Sequence, residues 1–278
     1  MAEQTTGAAT AVAEPVAPAD LRVPMDPNGI VKDLPCGFVR GGKRYLPAEF
    51  VPMSGYVRRM MSKKDVRDDF TEVVEVVLRQ CVRRVGPFAA AGDPKVVANL
   101  TQADRDFLLM EIRRASSGGD LNALVLCAAC KKRIRVTFKI DELEVVRLRD
   151  GDFEIRDDRL CFRVRSVNPP IDALCRYPIG TDRGVLEGLE RNPTEAQYLL
   201  YSACLVEWGG KAGPFGMDFF DALPTATLDE FTKQFAAKKP GPILDQKVPC
   251  GNKACGADIE FTFEGSDFFF PHPTRGRP

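Results

Sequence analysis

The sequence predicts an α+β fold: helical segments arranged around a split β unit that is built from two distant cysteine knuckles. Three observations predict it. Apolar residues recur at helical spacing in several runs, while other stretches alternate apolar and polar residues with period two. Two cysteine pairs, Cys127/Cys130 and Cys250/Cys255, are each followed by the same strand-like register. Hydrophobic residues make up 44% of the 278 positions, enough to bury a core and too many for a disordered chain.

Each element follows from local chemistry. Residues 1–25 are mostly Ala, Thr, Pro and Glu and read as a disordered tail. Residues 26–120 read as a β-hairpin plus a helical region. Gly41-Gly42 supplies the positive φ angles of a tight turn within 37–45. Ser54 caps a short helix through Tyr56, Val57, Met60 and Met61. From about Asp65, the residues Phe70, Val73, Val74, Val77, Leu78, Cys81, Val82 and Val85 predict one long helix that Gly86 stops. Thr101 caps the next helix, with Phe107, Leu108 and Ile112 inward and Gly118-Gly119 at its end.

Residues 121–145 hold the first knuckle and a β segment from Ala123 to Ile140. Residues 146–245 read as a hairpin over 152–166 turning at Asp157-Asp158, then a helical insertion. One helix is expected to start at Thr194, with Gln197 completing a capping box. Another starts at Thr227, with Glu230 in the same role, and ends before Pro240. Residues 246–278 hold the second knuckle, a strand over 259–263 and an aromatic tail, Phe268-Phe269-Phe270.

Composition excludes several function classes. Lys plus Arg equals 39 and Asp plus Glu equals 39, so the chain lacks the net basic charge of a general nucleic-acid binder, although a local basic patch remains open. The single histidine, His272, lies in a proline-rich tail, a poor position for nucleophile–imidazole chemistry. Nine cysteines is an odd count, unlike a secreted disulfide framework. There is no apolar run long enough for a membrane span and no basic, then apolar N-terminal leader. These features predict a protein made in a reducing cytoplasm, with no membrane and no small-molecule substrate.

The chemistry lies in the cysteine pairs. After the second cysteine of each pair, Ile134 matches Ile259, Val136 matches Phe261, Thr137 matches Thr262 and Phe138 matches Phe263. A turn between strands presents two thiolates on one side, which is half of a tetrahedron. Zinc takes four such ligands, so the two turns must meet. About 120 residues separate them, so one structural Zn held by Cys127, Cys130, Cys250 and Cys255 would tie distant parts of the chain and convert binding energy into folding energy. The resulting β unit is zinc-ribbon-like. Four cysteines close the coordination shell, which favours a structural over a catalytic ion. A redox pair and unligated buried cysteines are the alternatives.

The solvent-side rows of the two strands are opposite in charge. Arg133, Arg135 and Lys139 stand on the first, and Asp258, Glu260 and Glu264 on the second. Facing rows would help set register, at roughly 0.2–1 kcal/mol per pair. Two separately solvated faces are the alternative. Gly180-Thr181-Asp182 and Gly209-Gly210-Lys211 lack phosphate-loop spacing. The doublets Arg58-Arg59, Arg83-Arg84 and Arg113-Arg114 fit helix ends and faces.

The order of these features resembles the T4-type baseplate protein family of contractile phage tails and extracellular contractile injection systems. The resemblance is carried by Leu34-Pro35-Cys36-Gly37, by Arg79-Gln80-Cys81-Val82, by Asp104-Arg105-Asp106-Phe107-Leu108-Leu109, by Arg176-Tyr177-Pro178-Ile179-Gly180-Thr181-Asp182, and by the last knuckle with its phenylalanine cluster. It spans about residues 30–272. The second knuckle departs from the pattern with four residues between its cysteines, and neither knuckle contains a proline.

The resemblance implies a non-enzymatic hub or assembly component whose partners are other baseplate or tail proteins. Such a protein resides in the bacterial cytoplasm during assembly, or in the baseplate of the virion or injection particle. Phe268, Phe269 and Phe270 would suit docking to a partner, or packing on the chain's own ribbon. The competing reading is a zinc-ribbon adaptor that binds nucleic acid, or another protein complex, through Lys131, Lys132, Arg133 and Arg135. A zinc enzyme ranks last, because no His-Glu motif offers an open metal position.

Overall fold

The computed structural model describes residues 26–67, 69–183 and 192–263. The tail predicted over 1–25, the Phe268–Phe270 cluster and His272 lie outside the described residues.

Strands β1 (Ile30–Arg40) and β2 (Lys43–Phe50) form the expected hairpin, with Gly41 at φ 59° and Gly42 at φ 69°. A side chain would fit at both glycines, so the left-handed backbone and not crowding selects them. Helix α1 (Gly55–Met61) is capped as expected by Ser54, which accepts from the Val57 N–H.

The long helix predicted from Asp65 to Val85 is instead three elements. These are α2 (Lys64–Arg67), α3 (Phe70–Cys81) and strand β3 (Val82–Val85). Asp69 restarts the helix by accepting from the Glu72 N–H. Val82 and Val85 keep helical spacing, but they are β-branched and pair with β2, Phe50 opposite Val82 and Ala48 opposite Val85. Gly86, at φ 54°, therefore turns a strand toward β4 (Phe88–Ala89) and does not stop a helix.

Helices α4 (Pro94–Ala98) and α5 (Gln102–Ser117) follow. Thr101 caps α5 through the Asp104 N–H, and Gly118 closes it at φ 86°. The single β segment predicted over 123–140 is a hairpin, β5 (Asp120–Leu126) and β6 (Arg133–Lys139), with the first cysteine pair in its turn. After β7 (Val145–Val146) comes the predicted aspartate turn between β8 (Glu154–Arg156) and β9 (Arg159–Val167), with Asp157 at φ 49° and Asp158 at φ 57°. Strand β10 (Pro170–Arg176) and helix α6 (Gly180–Arg183) complete this stretch.

Helix α7 (Pro193–Cys204) starts earlier than expected. Asn192 is its cap and accepts from the Glu195 N–H, while Pro193 fills the first turn where a missing N–H costs nothing. Gln197 does not close a capping box but donates to the Tyr201 hydroxyl at 2.6 Å. Strands β11 (Leu205–Trp208) and β12 (Lys211–Ala212) and helix α8 (Met217–Asp221) lead to α9 (Thr225–Ala237). That helix follows Pro224 with no side-chain cap, and Glu230 accepts from Gln234 instead. It ends before Pro240, as expected. Strands β13 (Gly241–Pro242), β14 (Asp245–Pro249) and β15 (Asp258–Thr262) finish the described chain.

Two larger cores result. One packs α3 and α5 on the sheet β1-β2-β3-β4. The other packs Tyr201, Phe220 and Phe231 on the sheet β12-β11-β10-β9-β8, beside Phe162. Their junction is the buried start of α5. Asp104 accepts the backbone N–H groups of Cys36 at 2.7 Å and Gly37 at 3.3 Å, and the Thr101 hydroxyl at 2.9 Å. Arg105 donates to the Val97 carbonyl and pairs with Glu75. Gly180 lies against the Arg105 guanidinium and donates its N–H to the Leu100 carbonyl. Arg176 grips Asp182 through two bonds, 2.6 and 2.7 Å, and Asp182 in turn accepts from the Ile179 N–H. Three of the motifs that carry the family resemblance therefore meet at Asp104 and Arg105.

Candidate metal centre

Hairpins β5–β6 and β14–β15 bring their turns together around a third, small core. It is formed by Val125, Cys127, Cys250 and Ile259, with Ile134, Val136 and Val248 against it. The sequence-matched residues Phe138 and Phe263 meet at the base of this unit, ring centroids 4.9 Å apart and edge to face. Phe263 and Leu121 also belong to the first large core, so the unit is anchored in the rest of the fold.

The two turns close in the same way. The Cys127 N–H donates to the Lys132 carbonyl at 3.0 Å, and the Cys250 N–H donates to the Ala257 carbonyl at 2.8 Å. Each acceptor stands two positions after the second cysteine of its pair. The residue immediately after that cysteine has positive φ in both turns, Lys131 at 56° and Gly256 at 64°. The two extra residues of the second knuckle are absorbed by a tight turn in which Cys255 N–H donates to the Asn252 carbonyl at 2.8 Å. The unequal cysteine spacing therefore leaves the frame of the turns unchanged.

All four Sγ atoms lie within 4.8 Å of one another. Cys127 and Cys255 are 3.8 Å apart, and Cys130 and Cys250 are 3.7 Å apart. A Zn–S bond of about 2.3 Å sets tetrahedral edges of about 3.8 Å. The donor set and its spacing thus fit a tetrahedral soft-ligand ion. The electrostatics agree. The Cys130 thiol is pushed down to about 6, first by the Lys132 N–H aimed at its sulfur and then by the Asn252 side chain. At Cys250 the Asn252 N–H favours the thiolate, but burial and the neighbouring sulfurs of Cys127, Cys130 and Cys255 outweigh it and push the thiol up to about 12. Four close sulfurs cannot all ionise by themselves, and a divalent cation removes that conflict.

The predicted facing of charged rows does not occur. The hairpins meet through their apolar faces, and the charged rows point away. Lys247 on β14 pairs with Asp258 and Glu260 of its own hairpin, at 3.4 Å each. Lys139 pairs with Glu142. Among the described residues no ion pair joins β6 to β15, and Glu264 lies outside them. Lys131, Lys132, Arg133 and Arg135 are exposed. None of the described helices is long and apolar enough to cross a membrane.

Sequence reasoning found the four cysteines but missed the groups that hold them. The backbone N–H donors of Lys132, Asn252 and Ala257 were signalled only by their fixed position two residues after a cysteine. Gly251 allows close approach of the knuckles, since a β-carbon there would stand 3.2 Å from Ile134.

No curated protein and no solved structure matches the chain. Residues 56–169 match the model of the family described as T4 bacteriophage base plate protein. The matched segment runs from α1 to the end of β9, and includes Asp104, Arg105 and the first knuckle but not the second. It is narrower than the resemblance read over 30–272. The similarity to the T4 bacteriophage base plate protein family thus covers residues 56–169, less than half of the chain.

Proposed function

We propose that the protein is a non-enzymatic structural or assembly component of a phage-like contractile tail baseplate, stabilised by one Zn held by Cys127, Cys130, Cys250 and Cys255. The observation that carries the role is the family match over residues 56–169. The observation that carries the metal is the four-sulfur cluster, with all ligand atoms within 4.8 Å. When bound, the ion would offset two of the four thiolate charges and supply a common partner for Cys127, Cys130, Cys250 and Cys255. The chain does the rest. Cys127 and Cys130 come from its middle and Cys250 and Cys255 from near its end, so coordination closes the intervening helical insertion into one unit.

Its partners on this reading are other baseplate or tail proteins, met in the bacterial cytoplasm during assembly or in the baseplate of the virion or injection particle. Phe268, Phe269 and Phe270 are the proposed docking residues, because aromatic anchors dominate interface energetics. The second reading, a zinc-ribbon adaptor for nucleic acid, is favoured only by the exposed Lys131, Lys132, Arg133 and Arg135. Salt-dependent binding to a DNA duplex, lost when these four are changed to Gln, would support it.

The test of the role is removal of the chain from producing cells. Tail assembly is expected to stall without complete baseplates. Complete, functional particles formed in its absence would overturn the proposal.

A further inference from the structure

Two sulfur–sulfur contacts of the cluster run between knuckles. Cys127 faces Cys255 at 3.8 Å, and Cys130 faces Cys250 at 3.7 Å. Each facing pair has one buried member, Cys127 or Cys250, and one half-exposed member, Cys255 or Cys130. The other cysteines, Cys36, Cys81, Cys161, Cys175 and Cys204, are all buried elsewhere in the fold.

The geometry points to a second, covalent state of this centre: under a peroxide oxidant, the same four cysteines release the metal and close as two disulfides between knuckles, Cys127–Cys255 and Cys130–Cys250. The inference rests on the proposed four-thiolate centre and is independent of the baseplate role.

The chemistry balances with the oxidant named. The thiolate of a half-exposed cysteine attacks a peroxide oxygen. The O–O bond breaks, hydroxide leaves and takes up a proton to become water, and the sulfur becomes a sulfenic acid. The facing thiol gives up its proton and its sulfur attacks the sulfenic sulfur. The S–O bond breaks, the S–S bond forms, and a second water leaves. For each bridge, two thiols are oxidised and one hydrogen peroxide is reduced to two waters. Access assigns Cys130 and Cys255 the attack on peroxide, with Cys250 and Cys127 completing the bridges.

The consequence is mechanical. The two bridges span 128 and 120 positions of chain. Crosslinks that close long loops restrict the unfolded chain more than crosslinks within a short turn. A chain that has lost its ion to an oxidant would therefore keep its end tied to its middle.

The test treats the purified full-length protein with hydrogen peroxide, blocks remaining thiols with N-ethylmaleimide, and maps disulfides by tandem mass spectrometry. Both bridges are expected between knuckles, with the five other cysteines blocked as free thiols after denaturation. The oxidised, metal-free protein is expected to melt at a higher temperature than the reduced, chelated one. The double variant Cys127→Ser/Cys255→Ser should still form Cys130–Cys250, and Cys130→Ser/Cys250→Ser should still form Cys127–Cys255. Bridges within knuckles, bridges to any of the other five, or no bridge at all would overturn the inference. Metal content of the untreated protein is measured separately, so a missing metal and a missing bridge are told apart.

Discussion

The carboxylate of Asp104 accepts the backbone N–H of Cys36 at 2.7 Å, across 68 positions of sequence and inside a fully buried junction. That bond joins the first hairpin to the start of α5. It also places an acid where water cannot solvate its charge.

Burial raises the Asp104 carboxyl from 3.8 to about 6, against the lowering effect of bonds from Cys36, Thr101 and Gly37 and of the nearby Arg44 charge. A raised acid makes the folded state the better proton binder. Its stabilising contribution is therefore complete below about pH 4 and is lost as pH rises through 6. The loss is about 3 kcal/mol across that window. Asp104→Asn keeps an acceptor for both N–H groups and carries no charge. Urea unfolding of both proteins from pH 4 to 8 should show the variant gaining on the wild type as pH rises. Parallel stability curves would rule out this role for the carboxyl.

Gly180 is required by close approach to Arg105. A β-carbon there would collide with the guanidinium and stand 3.0 Å from the Ala98 carbonyl. Gly180→Ala should destabilise the fold by about 1–3 kcal/mol, the usual cost of overpacking. The buried Arg105–Glu75 pair would have to shift to make room. Thermal unfolding reads this directly, and an unchanged midpoint would show that the junction gives way freely.

Phe138 and Phe263 stack edge to face at 4.9 Å beneath the four-cysteine cluster. Phe263→Ala should cost about 3–5 kcal/mol, because its ring is buried in the first core. The double variant with Phe138→Ala should cost less than the sum of the single changes, with a coupling of about 0.5–1.5 kcal/mol. Strict additivity would mean that the two rings do not support one another.

The legible parts of this fold were those decided by local chemistry. Gly41-Gly42 and Asp157-Asp158 announced their turns because few residue pairs tolerate two positive φ angles in succession. The four cysteines were legible because metal-ligand spacing and the strand register after it repeat within one sequence. Parts decided by tertiary pairing were not. Val82 and Val85 satisfy helical spacing, and pairing with β2 and β4 makes them a strand. Opposite charges on β6 and β15 suggested a contact that the apolar packing of the hairpins does not allow. Asp104 and Arg105 stood out only as part of a family-like motif, and nothing local shows that their helix start is buried between two cores.

The central claim is that knuckles far apart in sequence share one ion. Elemental analysis of the purified protein tests it most directly, alongside Cys127→Ser and Cys255→Ser. The account predicts one zinc per wild-type chain, lost in both variants together with stability. Wild-type protein that is fully folded, reduced and free of metal would contradict it.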